Sequence, residues 1–153
     1  MSYIDAAMVS THFVFGAIWV GAVAFVTLAV LPLGRDGEMD RLPLTKLLSR
    51  LLTIARLSAV FVLLSGLHLM GSRALFDLDA LTGTNRGVAV LAMIALWFGL
   101  IVVLEIGIRR IKSGLDANLL REPSRDGLRW LTIATLFGVG VFVLGGLMAG
   151  GIF

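Results

Sequence analysis

The chain has 153 residues, 58% of them hydrophobic and only 15% charged, a balance that excludes an ordinary soluble domain. It contains no cysteine, which rules out disulfides, iron–sulfur clusters and thiolate metal sites. The net charge of +3 comes from basic residues gathered near the ends of apolar runs, a pattern of topology-setting charge and not of a nucleic-acid-binding surface.

Four apolar runs follow one another, over roughly residues 6–33, 47–70, 87–108 and 128–153, and each is long enough for a hydrocarbon core of about 30 Å. They predict an all-α integral membrane four-helix bundle forming a single transmembrane domain over 1–153. No Lys or Arg precedes Arg35, so the first run lacks the basic leader of a cleavable signal and is expected to stay as a span.

The first run opens on "STHFVFGAIWVG", which puts His12 at its head, with Gly16, Trp19, Val23 and Thr27 following it on one helical stripe. The first connection, "GRDGEMDRLPLTK", carries Arg35, Arg41 and Lys46, with Arg50 just beyond it. In the second run Ser58, Ser65 and His68 share a face, with Gly66 close by, and Arg56 lies nine residues past Leu47. The middle connection has only Arg73 and Arg86. The third run contains Trp97 and, four residues before Arg109, Glu105. Its following connection holds Arg109, Arg110, Lys112, Arg121, Arg125 and Arg129, and Pro123 with Ser124–Asp126 is expected to form a turn that caps the last helix. The two basic connections predict a multi-pass protein of the cell membrane with both loops cytoplasmic and both termini extracytoplasmic.

The halves resemble one another. "AIWVG" at 17–21 recurs as "ALWFG" at 95–99, and "RLLTIA" at 50–55 recurs as "RWLTIA" at 129–134, offsets of 78 and 79 residues. This points to a tandem duplication of a two-helix hairpin, with halves of about 1–75 and 76–153.

His12 and His68 are the only histidines. His12 lies 21 residues before Leu33 and His68 lies 21 after Leu47, so in antiparallel helices both fall about 32 Å from the inner surface. Imidazoles at one depth, beside the small residues Gly16, Ser65 and Gly66 and near Trp19, predict a site for one b-type haem near the outer face with His12 and His68 as axial ligands. The offsets map His12 to Val90 and His68 to Leu147, so such a site occurs once. Two axial imidazoles close the iron to O₂ and favour electron transfer, with a redox protein or a quinone beside Trp19 or Trp97 as partner. The alternative is copper, held by the same histidines with Met93, Met148, Met70 or Met8, because thioethers and imidazoles suit Cu(I). A third reading is a cofactor-free helical module of a larger complex. No phosphate-binding loop, HExxH or Ser–His–Asp set occurs, so any enzymatic chemistry would come from a bound cofactor. Arg56 and Glu105 are expected to form an intramembrane ion pair, since a lone charge there costs on the order of 3 kcal/mol. Gly146 and Gly150 are spaced for close helix contact, within the bundle or in a homodimer.

The pattern His12-x6-Trp19-x-Gly21 resembles the CopD-like copper-resistance membrane proteins and the related HemJ-type protoporphyrinogen oxidases. The resemblance covers the first helix and the four-helix size. It implies a helical membrane protein with His12 at a ligand position, for copper in the first group and for haem b in the second. The HemJ-type stretch Tyr-Leu-Pro-Arg ending in a further histidine is replaced here by "AFVTLAVLPLGRD", which lacks that Tyr, Arg and His.

Overall fold

A computed structural model describes residues 2–152; Phe153, at the end of the fourth apolar run, lies outside them. Helix α1, Tyr3–Phe25, passes through a π-helical turn, Val26–Val30, into α2, Leu31–Asp36. After a short turn come α3, Arg41–Ser72, the short α4, Leu78–Gly83, then α5, Asn85–Asp116, and α6, Arg121–Ala149. The continuous span Tyr3–Asp36 and helices α3, α5 and α6 are each long and apolar enough to cross a membrane, so the fold is a helical membrane bundle.

The helices overrun the apolar runs that mark them. Hydropathy reports the stretch that meets hydrocarbon, whereas a helix continues into the polar zone while its backbone bonds are made. Thus α3 begins at Arg41, six residues before its apolar run, and α5 continues to Asp116, eight beyond. The expected turn at Pro123 is instead the first turn of α6, where a missing N–H costs nothing. The chain reverses just before it, at Asn118, whose φ of 64° suits an asparagine. The sequence also gave no sign of α4, which occupies the middle connection.

The π-helical turn has a local cause. Pro32 has no N–H for the Leu28 carbonyl and its ring would press on that group. The preceding turn widens, and the Leu31 N–H reaches back to Val26. Within it, the buried Thr27 hydroxyl lies 2.7 Å from the Val23 carbonyl and 3.1 Å from the Thr135 hydroxyl of α6.

Packing follows two antiparallel pairs, α1 with α3 and α5 with α6, with α1 and α2 also lying along α6 and a thinner contact between α3 and α5. The fully buried residues Leu31, Leu44, Leu48, Leu104, Ile108, Ile111 and Leu131 all lie toward the end of the bundle that carries the basic connections. The opposite end buries little beyond Val62, Ser65, Leu75 and Ala89. Leu28 and Leu136 point outward at 74% and 63% exposure, faces that only lipid can cover.

Close approach in the α5–α6 pair depends on missing side chains. A Cβ on Gly107 would stand 2.7 Å from Trp130 Cβ, and one on Gly99 2.7 Å from the Phe137 ring. Gly114 meets Pro123 and Gly127 meets Ile111 in the same way. Gly21, by contrast, has nothing within 4 Å of where a Cβ would be. Gly107→Leu is therefore expected to destabilise the protein by about 1–3 kcal/mol, while Gly21→Leu stays within about 0.5 kcal/mol. Thermal unfolding of both variants in detergent checks this; equal melting temperatures would contradict the packing described.

Candidate functional site

Both histidines lie on the α1–α3 seam at the end away from the basic connections. The His12 ring reaches across to α3, its Nδ1 3.1 Å from Ser65 Oγ. The Ser65 hydroxyl lies 2.6 Å from the Phe61 carbonyl, so its proton goes there and its oxygen accepts from His12 Nδ1–H. This fixes the tautomer and leaves the His12 Nε2 lone pair free of any hydrogen bond among the described residues. Gly66 makes the approach possible, since a Cβ there would lie 3.2 Å from His12 Cε1.

His68 reaches the other way, its Nε2 3.1 Å from Asp5 Oδ1 on α1. Asp5 is held in turn by a reciprocal cap at the start of α1: its N–H donates to Ser2 Oγ at 3.1 Å and its Oδ2 accepts from Ser2 N–H at 3.0 Å. Asp5 carries this rung although the site residues read from the sequence did not include it. The available signal was the Ser2-x-x-Asp5 capping spacing, together with Asp5 being the sole acidic residue before Asp36.

The imidazoles are neighbours on one seam, but they occupy different rungs. Seven residues separate Asp5 from His12 on α1 and three separate Ser65 from His68 on α3. The equal depth counted from Leu33 and Leu47 assumed an unbroken α-helical rise, which the π-helical turn interrupts. The remaining residues of the expected pocket disperse. Ser65 and Gly66 border His12, but Gly16 faces Phe142 of α6, with 3.7 Å between its Cβ position and Phe142 Cζ. Trp19 is buried farther toward the basic end, at 2% exposure.

In the structure the seam between the two imidazoles is closed. The notch at Gly66 is filled by the His12 ring itself, and His68 Nε2 is taken by Asp5. A macrocycle there would need α1 and α3 to part. Among the methionines, Met8 lies on α1 between Asp5 and His12, three residues after the first and four before the second, and is half-buried. Met93 sits on the other hairpin, with its Cε 3.7 Å from the Cβ position of Gly145. Met70 and Met148 are half-buried near the ends of α3 and α6. Among the described residues no group of three or more His, Asp or Glu side chains is gathered in metal-binding geometry.

The deep charges do pair. Arg56 donates to Glu105 through Nε at 2.7 Å and Nη2 at 3.0 Å, a two-pronged contact between α3 and α5. Arg109, one turn on, lies 3.6 Å from the second Glu105 oxygen. Trp19 and Trp97, which correspond in the two halves, share one property: each buries its indole N–H without a partner among the described residues. Gly146 faces open space, while Gly150 ends α6.

No family model, curated protein or solved structure matches the chain.

Ser65 is the hinge of the histidine seam, accepting from one side and donating to its own helix. Ser65→Ala strands His12 Nδ1–H and is expected to cost about 1–3 kcal/mol. Ser72→Ala, on the exposed end of the same helix, is the matched control and is expected to change little. Chemical or thermal unfolding in detergent reads the difference, and identical curves for both variants would remove Ser65 from this role.

Proposed function

We propose that this is a membrane protein that binds a copper ion at the outer end of its α1–α3 hairpin, as its resemblance to CopD-like proteins implies. The observation that carries the reading is the closed seam. It offers two imidazoles on facing helices, with His12 Nε2 and His68 Nδ1 free of hydrogen bonds and the Met8 thioether between their rungs on α1. Imidazole and thioether together suit Cu(I), a small ion that asks far less space than a macrocycle. His12 supplies a nitrogen whose orientation is set by Ser65, and Asp5 does the same for His68; anchoring of this kind raises the basicity of a ligating ring. The loose packing of this end allows the small approach that would bring the donors together. Met70 follows His68 by two residues on α3, whereas Met93 and Met148 belong to the other hairpin.

The competing reading is a b-type haem with an electron-transfer role. The Ser65-anchored ring of His12 supports it as a single axial ligand, presented toward the lipid side of the seam. In the proposed topology the basic connections are cytoplasmic, so either centre faces the outside of the cell membrane. The open face at Gly146 is suited to a second copy of the chain or to another membrane helix.

One preparation separates these readings. Protein expressed with ample copper and haem is purified in detergent, and its metal content and its oxidised and dithionite-reduced spectra are recorded. Near-stoichiometric copper that falls several-fold in both His12→Ala and His68→Ala, with helical content unchanged, is the expected result. A sharp Soret band lost in His12→Ala would replace copper with haem. Protein free of both would overturn both readings and leave a helical module that acts through a partner.

A further inference from the structure

Laid on the structure, the repeat offsets of 78 and 79 residues relate particular side chains. Trp19, Val23 and Thr27 on the first span correspond to Trp97, Ile101 and Glu105 on α5. Ala55, Arg56 and Ala59 on α3 correspond to Ala134, Thr135 and Gly138 on α6. The tight pairs, α1 with α3 and α5 with α6, are the repeated hairpins, and the hairpins meet along two lines of equal extent, α1 with α6 and α3 with α5. The first and third spans run the same way, so the operation that exchanges the hairpins is a twofold rotation about the membrane normal.

The polar contacts between hairpins obey this operation. Thr27 and Thr135 join α1 to α6, with their hydroxyls 3.1 Å apart. The offsets carry Thr27 onto Glu105 and Thr135 onto Arg56, the pair that joins α5 to α3 at 2.7 Å. None of the four lies in the matched stretches 17–21, 50–55, 95–99 and 129–134, so the coincidence does not follow from the offsets. The orphan indoles of Trp19 and Trp97 also fall at equivalent places.

The two rungs differ in chemistry for a steric reason. Gly138 lets α6 come close to α1, since a Cβ there would stand 2.8 Å from the Val20 methyl groups. At that approach two short hydroxyl side chains meet directly. The counterpart of Gly138 is Ala59, whose methyl group stands in the α3–α5 seam beside a void of about 40 Å³ bordered by Trp19, Ala55 and Ile101. Across that less intimate contact the longer arms of Arg56 and Glu105 are needed.

We propose that the two hairpins bind each other through two copies of one surface, so that the partner each surface fits is a second copy of the same hairpin, supplied within one chain. Arg56–Glu105 is the long-armed form of the rung that Thr27 and Thr135 make with short arms. The residue one turn along, Ala59 or Gly138, sets the length required. The histidine seam lies inside one hairpin and has no such counterpart: Asp5, His12, Ser65 and His68 map to Gly83, Val90, Leu144 and Leu147. Assembly is what the halves share, and the donor groups set the first half apart. The inference is independent of the metal reading.

The test is a pair of mutant cycles on the purified full chain in detergent, read as melting temperature. Thr135→Ala and Gly138→Ala are each expected to lower it by about 2–8 °C, and Thr135→Ala made within Gly138→Ala should cost little more, because the hydroxyls are already apart. On the other line, Arg56→Thr and Glu105→Thr should each lower it, and the double variant should stay low because short arms do not meet there. Adding Ala59→Gly to that double variant should recover roughly half of the loss, whereas Ala59→Gly alone should give no gain. Arg56 is largely exposed, so the second cycle is readable even where Gly138→Ala does not fold. Additive losses in the first cycle, a native melting temperature in Arg56→Thr, or an equal effect of Ala59→Gly in both backgrounds would each overturn the proposal.

Discussion

In hydrocarbon, apolar side chains gain nothing by leaving lipid for one another, so helices must be held together by close fit and by polar contacts that lipid cannot replace. Steric fit at glycine is the constraint on which this bundle depends. Gly99, Gly107, Gly114 and Gly127 bring α5 and α6 together by admitting Phe137, Trp130, Pro123 and Ile111 into the space of an absent Cβ. Gly138 admits Val20 and so couples α6 to α1, and Gly34 admits Ser124 and couples α6 to α2. On the α1–α3 seam the same device admits an imidazole in place of a hydrocarbon side chain, at Gly66. The first contact type fixes the bundle, and the last one brings a donor-bearing ring into the seam between two membrane helices.

Polar groups show a second order imposed by the same solvent. His12 with Ser65, His68 with Asp5, Thr27 with Thr135 and Arg56 with Glu105 all join different helices. Each joins groups that would otherwise be stranded in lipid, and each ties a position on one helix to a position on another. Thr27 lies in the π-helical turn, so the widened backbone forced by Pro32 is buttressed from α6 at the hydroxyl pair. Arg110, 4.9 Å from the Trp130 ring centroid, adds a cation–π contact where α5 and α6 leave the apolar zone. Against this background the unpaired indole groups of Trp19 and Trp97 are the exceptions in a structure that otherwise satisfies its buried side chains.

Hydropathy is a local property, and so the four long apolar spans, their helical class and their membrane character could be read directly from the sequence. The deep charges were legible for a related reason: Arg56 and Glu105 stand alone in apolar runs, and a pair is the cheapest arrangement for both. Helix ends were less legible. The first turns of α3 and α6 and the last turns of α5 mix polar residues with apolar ones and give no continuous apolar signal, and Pro123 reads as a breaker unless the helix start is already known. The histidine pair was legible as a pair but not in its details. Which face of α1 meets α3, and at what stagger, depends on the π-helical turn and on which glycine accepts which ring. The same stripe that suggested Gly16 and Trp19 as neighbours of His12 is spread by the bundle over three seams: Gly16 toward α6, His12 toward α3, and Trp19 between α3 and α5.

The two ends of the molecule differ in a way that bears on function. Toward the basic connections the core is dense, with leucines and isoleucines of all four spans fully enclosed, and Arg41 hydrogen-bonds Asn118 across the two connections. Toward the termini the helices carry glycines and exposed aromatics, and the few buried groups include the Ser65 that holds His12. Local opening costs least where few apolar contacts are lost. Local rearrangement around His12, His68 and Met8 can therefore occur at the end that carries the termini without disturbing the dense core. The dense end has the opposite character: the glycine contacts of α5 with α6 and the buried leucines of α3 hold its helices in close fit, so the part of the molecule that can yield is the one that carries the two histidines.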